Sequence, residues 1–227
     1  MSIEHQIIFC TGNKGKFREI TNEFNKYNLL TPSVNKKYHF TLVQKDIDIP
    51  EIQSTSNEEV VKYKLNWVLE NVLSSVTQNN NSIIVEDTGL CIMDKIMNGF
   101  PGALIKFYLK HLGNEGICQQ NTNAPTEAIT YIGFWDGINQ KDIYFKGTVT
   151  GYIAENPSGI NGFGYDPCFV PLFLNDYKYF TDKKSELIIR ERNINNLTFA
   201  DLSDEQKAQT NMRTICTSKL CNYLLDY

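Results

Sequence analysis

Short apolar runs alternate with longer amphipathic stretches along this chain. IIFC at 7–10 reads as a strand that passes through TGNKGK into FREITNEFNKY, where the apolar spacing is helical. TLVQKDIDI at 41–49 reads as a second strand, stopped by Pro50. Ser56-Asn57-Glu58-Glu59 sets a capping serine three residues before a glutamate. It predicts a helix to about Val76, with Val61, Leu65, Val68 and Val72 on one face. TQNNNS at 77–82 is a polar break, and SIIVE is a third strand.

GALIKFYLKHLG at 102–113 predicts a helix closed by a glycine, and QNTNAPTE at 120–127 a loop. AITYIGFWDGINQKDIYFKGTVTGYI predicts two strands around an Asp136-Gly137 turn. PSGINGFGYDP at 157–167 is a glycine-rich loop. Ser203-Asp204-Glu205-Gln206 is a second capping box, opening a final helix to about Leu225. The order is strand–helix three times, then a hairpin, then a helix. It predicts an α/β fold with antiparallel strands inserted. The segment 172–197 is charged and lacks one period, which suits a surface insertion in a single domain spanning 1–227.

Composition narrows the picture. The formal net charge of −4 and pI of about 5.5 argue against a general nucleic-acid binder. No window reaches the ~18 consecutive apolar residues of a membrane span. The opening MSIEHQIIFC has no cationic segment followed by a long apolar one. Six scattered cysteines form neither a zinc spacing nor a Cys-x-x-Cys pair. A reduced, cytoplasmic protein with no membrane or nucleic-acid partner is expected.

The candidate chemistry sits where strands end. TGNKGK at a strand–helix turn offers backbone N–H groups and the charges of Lys14 and Lys16 to an anion. It is not a Walker A loop, because Gly12 and Gly15 are too close and Phe17 replaces the metal-holding hydroxyl. Glu86 and Asp87 follow a buried run, where two adjacent carboxylates repel each other and lose hydration. A Mg²⁺ ion would offset that, and one carboxylate could activate a water. Glu51, just after Pro50, is a candidate third carboxylate. Lys106 in an apolar helix either snorkels to water or meets an anion. GFGYDP (162–167) offers aromatic faces for a base and Asp166 to accept from a base N–H.

In order, these pieces resemble the inosine triphosphate pyrophosphatase family. The motif T-G-N-x-x-K is matched by Thr11, Gly12, Asn13 and Lys16, an acidic residue after the second strand by Glu51, and E-D-T-G-L by 86–90. N-G-F-P-G at 98–102, Lys106, F-x-G-x-x-x-G-x-I at 145–153 and G-F-G-Y-D-P at 162–167 follow. The resemblance implies an elongated mixed sheet flanked by helices, with two lobes, a nucleotide cleft between them, and a homodimer. It implies Mg²⁺-dependent cleavage of ITP, dITP or XTP to monophosphate and pyrophosphate, with Mn²⁺ as a possible substitute. Thr11, Gly12, Asn13 and Lys16 would cradle the triphosphate, and Lys106 would meet phosphate. Glu51, Glu86 and Asp87 would hold the metal, with Asp87 activating water. Phe163 would stack on the base, beside Gly164, Tyr165 and Asp166.

The match breaks in the last helix, where the family carries K-N-x-x-S-H-R. Here Lys207 and Arg213 keep their places, but Asn211 replaces the serine and Met212 the histidine. Met212 either faces the base or packs in the core, since Met212, Ile215, Cys216 and Leu220 follow helical spacing. A weakened or altered base preference is expected, with recognition leaning on Arg213, Lys207 and the 162–166 loop. Lys62 and Lys64 both fall near a phosphate-facing position of the family, and Lys64 is favoured. A non-catalytic nucleotide-binding relative and a pyrophosphatase of other base preference are the alternatives.

Overall fold

A computed structural model describes residues 3–31, 37–72, 81–174 and 191–227. Its sheet has seven strands: β1 (Ile3–Cys10), β2 (Tyr38–Lys45), β3 (Ser82–Ile92), β4 (Pro101–Gly102), β5 (Pro125–Asp136), β6 (Lys141–Ile153) and β7 (Phe169–Pro171). The path is β2-β1-β3-β5-β6-β7, with β4 pairing β3. The helices are α1 (Lys14–Lys26), α2 (Asn57–Asn71), α3 (Ile105–Asn121), α4 (Asp204–Ala208) and α5 (Met212–Leu224). Among the described residues, no helix is long and apolar enough to cross a membrane.

β3 is the hinge of the topology. Its first residues run parallel to β1, pairing Ile7 with Ser82 and Phe9 with Ile84. Past that point β1 stops, while β3 continues antiparallel to β5 through Ile92. Strand alternation then sorts the core. Ile7, Phe9 and Ile84 pack with Ile20 and Phe24 of α1 and Leu220 and Leu224 of α5. Ile8, Ile83 and Val85 point the other way, against Val61, Leu65 and Val68 of α2. Leu90 and Ile92, at the far end of β3, join a third cluster with Ile117, Val149, Phe169 and Phe199. Apolar cores thus lie towards both ends of β3, and its polar middle separates them.

Several expected boundaries move. β2 is 38–45, so Asp46–Glu51 is an extended connection and not strand. β3 runs through EDTGL, so Glu86 and Asp87 lie inside a strand and not at its end. Hydrogen bonds of β3 to β5 carry it past the point where its parallel partner stops, a pairing that local apolarity does not encode. α3 breaks at Gly113 (φ 66°) and resumes, so 120–121 are helical and 125–127 begin β5. The Asp136-Gly137 turn is a longer loop: the Asp136 carboxylate accepts from the N–H groups of Ile138 and Asn139. The expected final helix is two, interrupted at 209–211. Asn211 caps the second by accepting from the Thr214 N–H at 2.8 Å, a task a serine there would also perform. The predicted end of α2 at Val76, most of the polar break at 77–82, and residues 175–190 of the expected insertion lie outside the described residues.

Candidate active site

The polar middle of β3 forms one wall of a cleft of about 730 Å³. Thr11, Gly12, Asn13, Lys16, Glu51, Lys64, Glu86, Asp87, Lys106, Phe163, Gly164, Tyr165 and Arg213 all line it. Local chemistry positions each. The Asn13 side chain caps α1 by accepting from the Lys16 N–H at 3.0 Å, and Thr11 Oγ1 accepts from the Asn13 N–H at 3.1 Å. The helix N-terminus and the Lys16 ammonium therefore face the cleft together. Phe17 anchors this turn in the core, stacked on Phe9.

Glu86 and Asp87 both line the cleft but meet different closest partners. By alternation Glu86 lies on the α1/α5 face, where Lys16 Nζ sits 2.6 Å from Oε2. Arg213 reaches Oε1 at 3.4 Å, and Thr88 donates to the same oxygen. Arg213 is clasped in turn by Glu19. Burial pushes the Glu86 carboxyl up, but the Lys16 and Arg213 charges outweigh it and hold it down at about 2. Asp87 lies on the α2 face. Lys64 donates to Oδ1 at 3.0 Å and Asn57 Nδ2 to Oδ2 at 2.7 Å. Here burial wins over Lys64, and the Asp87 carboxyl is pushed above its ordinary range. One carboxylate is thus a fixed anion and the other the better proton acceptor.

Lys64 also bridges to Glu51 Oε1 at 2.8 Å. Burial acts to raise the Glu51 carboxyl, yet Lys64 leaves it lowered. Lys62 instead pairs with Glu58 on the outside of α2, so Lys64 is the lysine that faces the cleft. Lys14 is exposed and does not line the cleft. Lys106, exposed on α3, does.

Glu51, Glu86 and Asp87 all line the cleft, but among the described residues no group of three His, Cys, Asp or Glu side chains is close enough to form a metal cluster. The pleat turns adjacent side chains apart, so Glu86 closes on Lys16 and Arg213 while Asp87 closes on Lys64 and Asn57. Glu51 and Asp87, already joined through one ammonium, are a donor set of hard oxygens that fits Mg²⁺ held by one or two carboxylates, with waters and phosphates completing its shell.

Phe163 stands at one edge of the cleft, 42% exposed, its ring against Gly15. Lys207 Nζ lies 5.0 Å and Arg213 Cζ 5.9 Å from its centroid. Asp166 and Lys207 are behind this ring and do not line the large cleft. The expectation that Asp166 accepts from a base N–H meets a different arrangement. Its Oδ2 already accepts from the Phe163 N–H at 2.7 Å and from Lys207 at 2.6 Å, bracing the loop from inside. Tyr165 is buried, with its hydroxyl donating to the Gly89 carbonyl. Met212 is 3% exposed and belongs to the third apolar cluster, yet it also borders a small cavity of about 40 Å³ behind Phe163.

Sequence reasoning missed Asn57, Thr88, Glu19 and Asp48. The first three buttress the carboxylates and Arg213, and Asp48 lines the cleft. Two of them left a signal: Asn57 directly follows the capping Ser56, and Thr88 is the threonine of EDTGL.

Known proteins repeat this arrangement of sequence and fold. The sequence model of the Ham1 family matches residues 7–223. A dITP/XTP pyrophosphatase from Methanopyrus kandleri is 34% identical over 169 residues, 73% of this chain and 79% of the relative. An inosine triphosphate pyrophosphatase from Schizosaccharomyces pombe is 27% identical over 227 residues, 99% of this chain and 97% of the relative. A HAM1 protein from Coxiella burnetii shares the fold at TM-score 0.67 and 18% identity, covering 98% of this chain and 100% of that one. The Ham1 protein of Staphylococcus aureus does so at 0.61 and 24%, covering 97% and 98%. With the match running from β1 into α5 and the same fold in both solved structures, this chain belongs to the Ham1 family.

Proposed function

We propose that this protein is a nucleoside triphosphate pyrophosphatase that hydrolyses non-standard keto-purine triphosphates (ITP, dITP, XTP) to monophosphate and pyrophosphate, clearing them from the cytoplasmic nucleotide pool. One observation carries the reading. Buried Asp87, with a raised carboxyl, faces the same cleft as the α1 N-terminus, Lys16, Lys64, Lys106 and the exposed ring of Phe163. The relatives from M. kandleri and S. pombe, a dITP/XTP pyrophosphatase and an inosine triphosphate pyrophosphatase, agree with it.

The α1 N-terminus, Lys16 and Lys106 bind the triphosphate; of the other cations lining the cleft, Lys64 is held by Glu51 and Asp87 and Arg213 by Glu19 and Glu86. Phe163 stacks on the base. Asp87 accepts the proton of the attacking water through Oδ1, the oxygen on the Lys64 side. The water oxygen bonds to phosphorus at the link between monophosphate and pyrophosphate, and the departing oxygen leaves with pyrophosphate. Lys64 offsets charge beside Asp87 and Glu51. When bound, Mg²⁺ (or Mn²⁺) on Glu51 and Asp87 supplies a counter-charge for the phosphates. Glu86 stays an anion that fixes Lys16 and Arg213 in place.

The test is pyrophosphate release with Mg²⁺ from ITP, XTP, dITP, dUTP, ATP and GTP, beside an Asp87→Asn control. Release from the keto purines that vanishes in the control supports the reading. Binding without release from any nucleotide would turn it to a non-catalytic relative.

Met212 favours a second reading, an altered base preference. It borders the cavity behind Phe163 with a side chain that cannot donate a hydrogen bond. Met212→His should sharpen ITP over ATP or GTP, and an unchanged ratio counts against this. We also propose a homodimer. Met93, Ile96 and Phe107 are exposed apolar side chains that such an interface would cover, and sedimentation velocity tests it.

A further inference from the structure

Asn57 has no place in the motifs that mark this cleft, yet it is buried and bonded to Asp87. It is the first residue of α2 and is 4% exposed. Its amide donates to Asp87 Oδ2 at 2.7 Å, while Lys64 takes Oδ1 at 3.0 Å. The two oxygens of Asp87 are therefore divided between a neutral donor behind and a cation at the cleft.

Three features fix Asn57. The start of α2 is capped by Ser56, which accepts from the Glu59 N–H. Ser54 closes the cap by accepting from the Ser56 N–H at 3.0 Å and donating to the Glu59 carboxylate at 2.7 Å. The residue before Ser56 is tied to the chain just after β4, the Ala103 N–H donating to the Thr55 carbonyl at 3.0 Å. Finally, the Asn57 amide lies against the bare Cα of Gly89: a Cβ there would come within 2.6 Å of Nδ2 and 2.7 Å of the Gly102 carbonyl. The glycine of EDTGL makes room for this amide, and the amide reaches the aspartate of the same motif.

We propose that Asn57 is a positioning residue for hydrolysis: it holds Asp87 by Oδ2 so that Oδ1 is presented to the cleft. This rests on the reading of Asp87 as the group that takes the water's proton. The chemistry selects an amide. A cation at that place would compete for the charge of Asp87, and an aliphatic side chain would leave Oδ2 buried without a donor. An amide fixes the rotamer and adds no charge.

The test uses the full chain with Mg²⁺ and ITP, comparing Asn57→Ala, Asn57→Asp, Asp87→Asn and the double variant Asn57→Ala/Asp87→Asn. Asn57→Asp keeps the shape and places an acid in the first turn, where it favours the helix, but turns the donor into an acceptor. Both Asn57 variants should lower kcat by roughly 10- to 100-fold, the loss expected from one hydrogen bond to a charged group. KM for ITP should stay within about twofold, and the double variant should be no slower than Asp87→Asn. A kcat loss that matches the unfolded fraction in a thermal melt, an equal rise in KM, or a further loss in the double variant would each overturn the positioning role. Loss in Asp87→Asn with unchanged kcat in Asn57→Ala would overturn it alone. Full activity of Asp87→Asn would overturn the reading of Asp87 beneath it.

Discussion

Glu86 and Asp87 are adjacent, and each has its own contact cations. Lys16 and Arg213 hold Glu86 and Lys64 holds Asp87, with the Lys16 charge felt by Asp87 as well, so the repulsion expected of adjacent carboxylates is answered by ammonium and guanidinium groups. Because Asp87 is the carboxyl pushed up by burial, Asp87→Asn should lower kcat by roughly 10²- to 10⁴-fold in the pyrophosphate assay. Lys64→Met removes the charge that opposes that rise. The acid limb of the rate profile should then move to higher pH than in the wild type, read from kcat/KM across pH 4–8 as an approximate window around the carboxylate range. Lys64 also occupies both oxygens offered by Glu51 and Asp87. Without nucleotide, Lys64→Met should therefore bind Mn²⁺ more tightly, as measured by electron paramagnetic resonance.

Elements are placed by close approach as much as by periodicity. Gly147 of β6 shows why. A Cβ there would collide with the Met212 carbonyl and come within 2.7 Å of the Cys216 N, both backbone atoms of α5. The first turn of α5 carries Arg213, so this one glycine sets how far the guanidinium reaches towards Glu86 and Thr88. Gly147→Ala should destabilise the fold by about 1–3 kcal/mol in urea unfolding, the cost of overpacking, and should lower turnover as α5 shifts. The periodic signals that placed α1, α2 and the β5–β6 hairpin worked because each buries one face on the sheet. The break between α4 and α5 was not legible in the same way. Its cause is the Asn211 cap, and the apolar spacing runs across it.

At the scale of the whole molecule, pH acts through several carboxyls in opposite directions. Glu86, held at about 2 against an ordinary value of about 4.3, contributes stability present above the ordinary range and lost as pH falls towards 2. Asp136 has the same sign. Burial raises it, but hydrogen bonds from Tyr223 and Tyr227 leave it lowered, and they tie the β5–β6 loop to the C-terminal end of the chain. Asp87 opposes both, since a raised folded pKa costs stability as pH rises through it. The wild type should thus lose unfolding free energy on acidification below about pH 4. Asp136→Asn should be less stable at pH 7 and show a shallower slope in that acid window, read from urea melts.

The sequence by itself determined the α/β class and the α1 turn with Thr11, Asn13 and Lys16, because strand and helix periods and capping rules act within a few residues; the residues of the cleft beyond that turn, among them Glu51, Lys64, Phe163 and Arg213, were marked as one site by the family resemblance. It could not determine that β3 continues through EDTGL, since that depends on pairing with β5, some 40 residues on. Only the tertiary structure decided that Glu86 and Asp87 part, that Lys64 and not Lys62 faces the cleft, and that Asp166 and Lys207 brace Phe163 from behind. Those outcomes rest on which distant backbone comes close enough to share a charge or exclude a Cβ, and no local pattern of apolar and polar residues records that distance.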